Sequence, residues 1–173
     1  AASDVYKRQA AEDTLTYAWS VKKDGDAVDV SGLTTNLSTF DFTPADEGEY
    51  EFTLTVTDED GGIITDSKTV SVTNVNPTAV ISGEPVGPIA EGTAVNLTAT
   101  GADAGVEDVL SYAWTITKGG QPWTPANGTV LNTDTLSFIP TDNGTYVATV
   151  TVTDGDGGTV SESSVNFCTA SKR

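Results

Sequence analysis

The chain repeats itself, and that repetition constrains its fold more than any other feature. Glu12-Asp13-Thr14-Leu15-Thr16-Tyr17-Ala18-Trp19 returns 95 positions later as Glu107-Asp108-Val109-Leu110-Ser111-Tyr112-Ala113-Trp114. At an offset of 96, Phe42-Thr43-Pro44 falls on Phe138-Ile139-Pro140 and Gly48-Glu49-Tyr50 on Gly144-Thr145-Tyr146. The match closes with Val56-Thr57-Asp58 on Val152-Thr153-Asp154 and Gly61-Gly62 on Gly157-Gly158. A length of 173 residues admits one large domain or two small ones, and the duplication selects two copies of one unit.

Within each copy the apolar period is two. Leu15, Tyr17, Trp19 and Val21 alternate with Thr16, Ala18, Ser20 and Lys22, and Tyr50, Phe52, Leu54 and Val56 alternate with Glu49, Glu51, Thr53, Thr55 and Thr57. The second copy repeats the pattern with Tyr146, Ala148, Val150 and Val152. Alternation of this kind marks half-buried strands. Each large side chain contributes about 1.5 to 3 kcal/mol when buried, which requires a second sheet packed over that face, so the expected fold is an all-β sandwich. Asp58-Glu59-Asp60-Gly61-Gly62 and Asp154-Gly155-Asp156-Gly157-Gly158 lie between strand patterns, where their glycines supply the positive φ of hairpin tips.

Charge and composition then exclude several functions. Eight Lys and Arg stand against 25 Asp and Glu, a formal charge of −17 that repels phosphate backbones and anionic lipid, so no nucleic-acid partner is expected. There is no His and a single cysteine, Cys168, which removes His-dependent triads, His-rich zinc sites and intrachain disulfides. No run of about 20 apolar residues occurs, and no membrane insertion is expected.

Asp46-Glu47-Gly48-Glu49-Tyr50 and Asp142-Asn143-Gly144-Thr145-Tyr146 precede the long alternating strands, where a tyrosine corner would return its hydroxyl to the chain. With a Trp on an earlier strand, each copy reads as immunoglobulin-like. The chain resembles PKD-type and related immunoglobulin-like repeats, found in tandem on microbial surface and secreted proteins. The resemblance is carried by Pro77-Thr78-Ala79-Val80, by Glu91-Gly92, by the Tyr-x-Trp strands and by the Thr-Val-Thr-Asp that ends at Asp58 and at Asp154. It departs after each Trp: PKD repeats continue with Asp-Phe-Gly-Asp-Gly, whereas this chain has Ser20-Val21-Lys22-Lys23 and Thr115-Ile116-Thr117-Lys118.

The expected organisation is a non-native or disordered tail over 1–11, a truncated repeat over 12–76, a complete repeat over 77–167 and a tail over 168–173. The complete repeat has two further strands, near residues 78–81 and 94–100, for which the first copy has no counterpart. Thr73-Asn74-Val75-Asn76 forms a short linker ahead of Pro77.

One end of the second sandwich should gather its entry segment, the loop between its second and third strands and its last hairpin. That places Asn74, Asn76, Asp103, Glu107, Asp108, Asp154 and Asp156 together as candidate ligands for calcium, which takes about six to eight oxygens. Asp46 and Glu47 add carboxylates from the preceding repeat, and the layout resembles the calcium-stiffened junctions of cadherin-type repeats. The competing explanation is turn chemistry, since Asp and Asn hydrogen-bond locally in loops. Trp123, on a loop and without a counterpart in the first copy, is the candidate carbohydrate-binding residue, against a role in capping the sandwich edge. Asp58 and Asp60 sit on a solvated hairpin tip without an apolar surround, so no catalysis is expected.

These readings converge on a non-catalytic extracellular spacer or adhesion-type repeat of a larger surface or secreted protein, possessing calcium as its candidate cofactor. Its partners would be neighbouring repeats of the same polypeptide, and a polysaccharide or cell-surface protein. The alternative is a carbohydrate- or protein-binding accessory module of a secreted enzyme.

Overall fold

A computed structural model describes residues 14–126, 128–164 and 167–170, the last four by their backbone alone. The chain divides into two compact units, Ala1–Thr73 and Asn74–Arg173. The expected tail over 1–11 lies outside the described residues. Every regular element is a strand, and no helix among the described residues is long and apolar enough to cross a membrane.

Unit 1 contains β1 (Thr16–Lys23), β2 (Asp26–Ala27), β3 (Gly48–Thr57) and β4 (Ile63–Val72), in the antiparallel order β2-β1-β3-β4. Tyr17, Trp19 and Val21 of β1 pair with Val56, Leu54 and Phe52 of β3, so the apolar sets of both strands share one face. Residues 31–47 cross that face, and Phe40 stacks on Trp19 at 5.7 Å while Phe42 meets Phe52 at 5.5 Å and Tyr50 at 5.7 Å. Only Val21 and Tyr50 reach 2% exposure, whereas Trp19, Phe40, Phe42, Phe52, Leu54 and Val56 remain half-buried.

Unit 2 contains β5 (Thr78–Ser82), β6 (Ile89–Ala90), β7 (Val95–Ala102), β8 (Ser111–Lys118), β9 (Gln121–Pro122), β10 (Thr135–Phe138), β11 (Gly144–Thr153), β12 (Thr159–Ser163) and β13 (Phe167–Ala170). One sheet has the order β10-β7-β5; the other runs β6-β13-β11-β8-β9, with β12 also on β11. The two faces bury Ile81, Val95, Leu97, Ala99, Leu136 and Phe138 against Trp114, Ile116, Tyr146, Ala148, Val150 and Val152. Tyr112 packs against this core from its margin. This is the complete immunoglobulin-like sandwich expected from the alternation. Cys168, expected in a terminal tail, stands instead in β13 opposite Thr145, because the last strand runs on past residue 167. Between β12 and β13 two residues of β11 face three of the last strand, a bulge at which Ser164 Oγ accepts from the Ala148 amide at 3.0 Å.

The duplication extends to individual hydrogen bonds. The indole N–H of Trp19 donates to Leu37 O at 3.0 Å, and that of Trp114 to Thr133 O at 2.9 Å. Tyr50 Oη donates to Asp46 O at 2.9 Å and Tyr146 Oη to Asp142 O at 3.0 Å, forming both tyrosine corners. Beside each corner a lysine clasps the aspartate, Lys23 to Asp46 and Lys118 to Asp142. The Lys118 ammonium holds the Asp142 carboxyl below its ordinary range, chiefly through their hydrogen bond.

Candidate functional site

Three segments of unit 2 build its acidic end: Asn74 to Asn76 before β5, the loop of residues 103–110 between β7 and β8, and the hairpin of residues 154–158 between β11 and β12. Asp154 organises the hairpin. Its side chain is only 5% exposed, and its Oδ1 accepts from the amides of Gly158 at 2.7 Å and Asp156 at 2.9 Å, while Asn74 Nδ2 donates to its Oδ2 at 2.9 Å. The turn closes through Asp154 N to Gly158 O at 3.1 Å, with Gly157 at φ 94°. A Cβ on Gly158 would lie 2.1 Å from Asp154 Oδ2 and 2.9 Å from both Asn74 Nδ2 and Asn76 Oδ1, so these three side chains converge on one bare backbone position.

Asp58 does the same in unit 1, taking the Gly62 amide on Oδ1 at 2.6 Å while its own amide donates to Gly62 O at 3.0 Å. Asp60 is exposed. The carboxylates of both hairpins are therefore acceptors for their own turns, the local chemistry that favours Asp there.

The 103–110 loop differs. Asp103 Oδ1 accepts from the Gly105 amide at 2.9 Å, but its Oδ2 is shielded from solvent and has no hydrogen-bond partner among the described residues. Asp108 closes over the same glycine, since a Cβ on Gly105 would lie 2.3 Å from Asp108 Oδ2 and 3.6 Å from Asp103 Oδ1. Oxygens of Asp108 and Asp156 lie within 4.8 Å of one another. The fold thus brings Asp103 near Asp108, Asp108 near Asp156, and Asn74 and Asn76 near Asp154; Glu107 is exposed and no contact draws it in.

Hydrogen bonding from Asn74, followed by the turn amides, holds the Asp154 carboxyl below its ordinary range. A depressed folded-state pKa contributes stability that is present above the unfolded value of about 3.9 and is lost as pH falls through the folded one. The stability gap between the parent and Asp154→Asn is therefore expected to narrow on acidification from neutral pH to below that value. Urea titrations across this range check it, and a gap independent of pH would refute the ionised role.

Trp123 is half-buried and packs on Phe138 at 5.8 Å and edge-on to Tyr146 at 5.1 Å, while its amide donates to Ile116 O at 2.9 Å. The same backbone bond in unit 1 is made by Val28 to Val21 at 3.0 Å, so Val28 is its positional equivalent. There the third aromatic against the Phe42–Tyr50 pair comes from Phe52, whose counterpart in unit 2 is the small Ala148. Bulk has moved between a loop and a strand, and the packing accounts for Trp123 without a ligand.

Both units are thus immunoglobulin-like repeats with one set of corners, clasps and hairpins. The chain matches the family described as K319L-like, PKD domain, over residues 3–73 and 88–167, and it belongs to that family. The first match begins inside the stretch set aside as a tail. No curated protein matches the chain. Among solved structures, it is similar to fibronectin(III)-like modules of Clostridium thermocellum CbhA, with 14% identity over 94% of this chain and 82% of that one, at a TM-score of 0.43. An amphioxus IgVJ-C2 molecule has 21% identity over 91% of this chain and 97% of its own, also at 0.43. Three N-terminal domains of the bacteriophage RB49 outer capsid protein Hoc have 18% identity over 95% and 59%, at 0.38.

Proposed function

We propose that the chain is a non-catalytic extracellular repeat module, a spacer of the adhesion type within a larger surface or secreted protein, and that calcium bound at the acidic end of unit 2 stiffens it. The observation carrying the spacer reading is the recurrence of the same structural hydrogen bonds in both units. The polar side chains that vary least between the repeats, Asp58 and Asp154, Tyr50 and Tyr146, are engaged in turns and corners rather than in a shared pocket. A spacer depends on its fold and length rather than on particular surface groups. Displayed between a membrane anchor and a reporter domain, the chain is expected to raise reporter accessibility, and Trp123→Ala is expected to leave that gain intact. Loss of the gain in a folded Trp123→Ala variant would assign the role to a binding surface instead.

Calcium is supported by the shielded Asp103 Oδ2, an oxygen that a hard cation would satisfy, and by the approach of Asp108 to Asp156. Asp154 has its lone pairs largely taken, which leaves Asp103, Asp108 and Asp156 as principal donors, with Asn76, Glu107 or Asn74 completing the shell. Extracellular modules bind calcium at about 10⁻⁴ to 10⁻³ M, so a tenfold excess over Kd stabilises by about 1.4 kcal/mol. Titration calorimetry at millimolar calcium is expected to show heat that Asp103→Asn diminishes. Absence of heat, together with equal stabilisation by sodium at matched ionic strength, would leave screening of a −17 chain as the whole effect.

A further inference from the structure

In unit 2 the second sheet exists because β10 pairs with β7, Leu136 opposite Leu97 and Phe138 opposite Val95. The repeat offset places residues 39–42 of unit 1 on β10: Thr39, Phe40, Asp41 and Phe42 stand where Thr135, Leu136, Ser137 and Phe138 stand. They keep the exposed and half-buried alternation of a strand, yet no strand among the described residues pairs with them. Beside them lie Trp19, Phe52 and Leu54, half-buried, whereas Trp114, Ala148 and Val150 at the equivalent positions are 3%, 0% and 0% exposed beneath the second sheet. Unit 1 therefore combines an unpaired strand-like segment with the apolar face that its missing neighbour would cover.

We infer that residues 39–42, with the face around Trp19 and Leu54, accept an extended strand donated by another polypeptide. Unit 2 supplies the template for its chemistry. The donated strand runs antiparallel to residues 39–42 and places Leu-like and Val-like side chains opposite Phe40 and Phe42, as Leu97 and Val95 stand opposite Leu136 and Phe138. The residue between them faces outward. In unit 2 that pair is Ser137 with Asn96, bonded at 2.8 Å, but in unit 1 Asp41 replaces Ser137, so the favoured opposite residue is a cation or a donor. A second copy of this chain is disfavoured as occupant, because it carries the same −17 charge. The fitting partner is a neutral or basic segment, apolar at alternate positions, with Lys, Arg or Asn between two aliphatic residues.

A synthetic peptide of residues 93–103, added to the whole chain, tests this. Binding is expected to slow hydrogen exchange at the amides of residues 39–42. Affinity is expected to rise with Asn96→Lys and fall with Asn96→Asp, the two differing by about tenfold, and Leu97→Lys should abolish binding. Unchanged exchange at residues 39–42 at saturating peptide, equal affinity of the Lys and Asp peptides, or protection confined to unit 2 would overturn the assignment. So would concentration-dependent self-association that protects the same amides without peptide.

Discussion

Trp114→Ala is expected to lower the stability of unit 2 by about 3 to 5 kcal/mol. The indole is 3% exposed and lies within the cluster formed by Leu97, Leu136, Val150 and Val152. Its N–H also satisfies Thr133 O, and its backbone amide bonds Leu131 O at 2.7 Å, so the side chain ties the loop between β9 and β10 to β8. Truncation removes both the packing and the tie, and the rigid faces on either side can close over the cavity only partly. With a urea m-value of about 2 kcal/mol/M for a domain this size, the unit 2 midpoint falls by about 1.5 to 2.5 M. Residue-resolved NMR of unit 2 signals measures it. A midpoint matching that of the parent would place Trp114 outside the core.

Hydrogen exchange should separate the two units by about two orders of magnitude, with the amides of β1 and β3 exchanging faster than those of β8 and β11. The strand pairings are equivalent, Trp19 opposite Leu54 and Trp114 opposite Val150, so backbone hydrogen bonding alone predicts equal protection. Burial differs. Trp19, Phe52, Leu54 and Val56 are half-buried where their counterparts are almost fully enclosed. Forgoing about half the burial contribution of three or four such side chains removes about 3 kcal/mol, which corresponds to about a hundredfold in opening equilibrium. Equal protection would mean that the aromatic cluster of Phe40, Phe42 and Phe52 replaces a whole sheet.

The elements legible in the sequence were those governed by local alternation. The Tyr50 to Val56 run became β3, the expected strands near 78–81 and 94–100 appeared as β5 and β7, and both tyrosines closed their corners. What escaped depends on contacts between distant residues. Residues 39–42 read as a strand by alternation, but a strand also needs a partner, and period two says nothing about whether one is present. Trp123 seemed unexplained because its equivalent, Val28, is small; the compensation sits at Phe52, whose ring replaces it from another strand. At the acidic end, composition gathered the right loops, yet it could not distinguish Asp154, consumed by Gly158, Asp156 and Asn74, from Asp103, whose second oxygen has no such partner. Side chains with identical chemistry part company there on turn geometry alone.

The last strand of unit 1 raises a different matter, that of association between molecules. β4 is ten residues long, lies at the edge of its sheet and is exposed over nearly its whole length. A long flat edge invites lateral growth, in which copies add strand to strand. At its centre, however, stand Asp66 and Lys68, with Nζ to Oδ2 at 4.0 Å and both side chains well solvated. An incoming strand would have to strip water from these charges, so the pair acts as a gatekeeper on this edge while contributing almost nothing to the fold itself. Sequences of this kind can accumulate repeats along the chain without sticking to one another side by side, and two inconspicuous surface charges help make that possible.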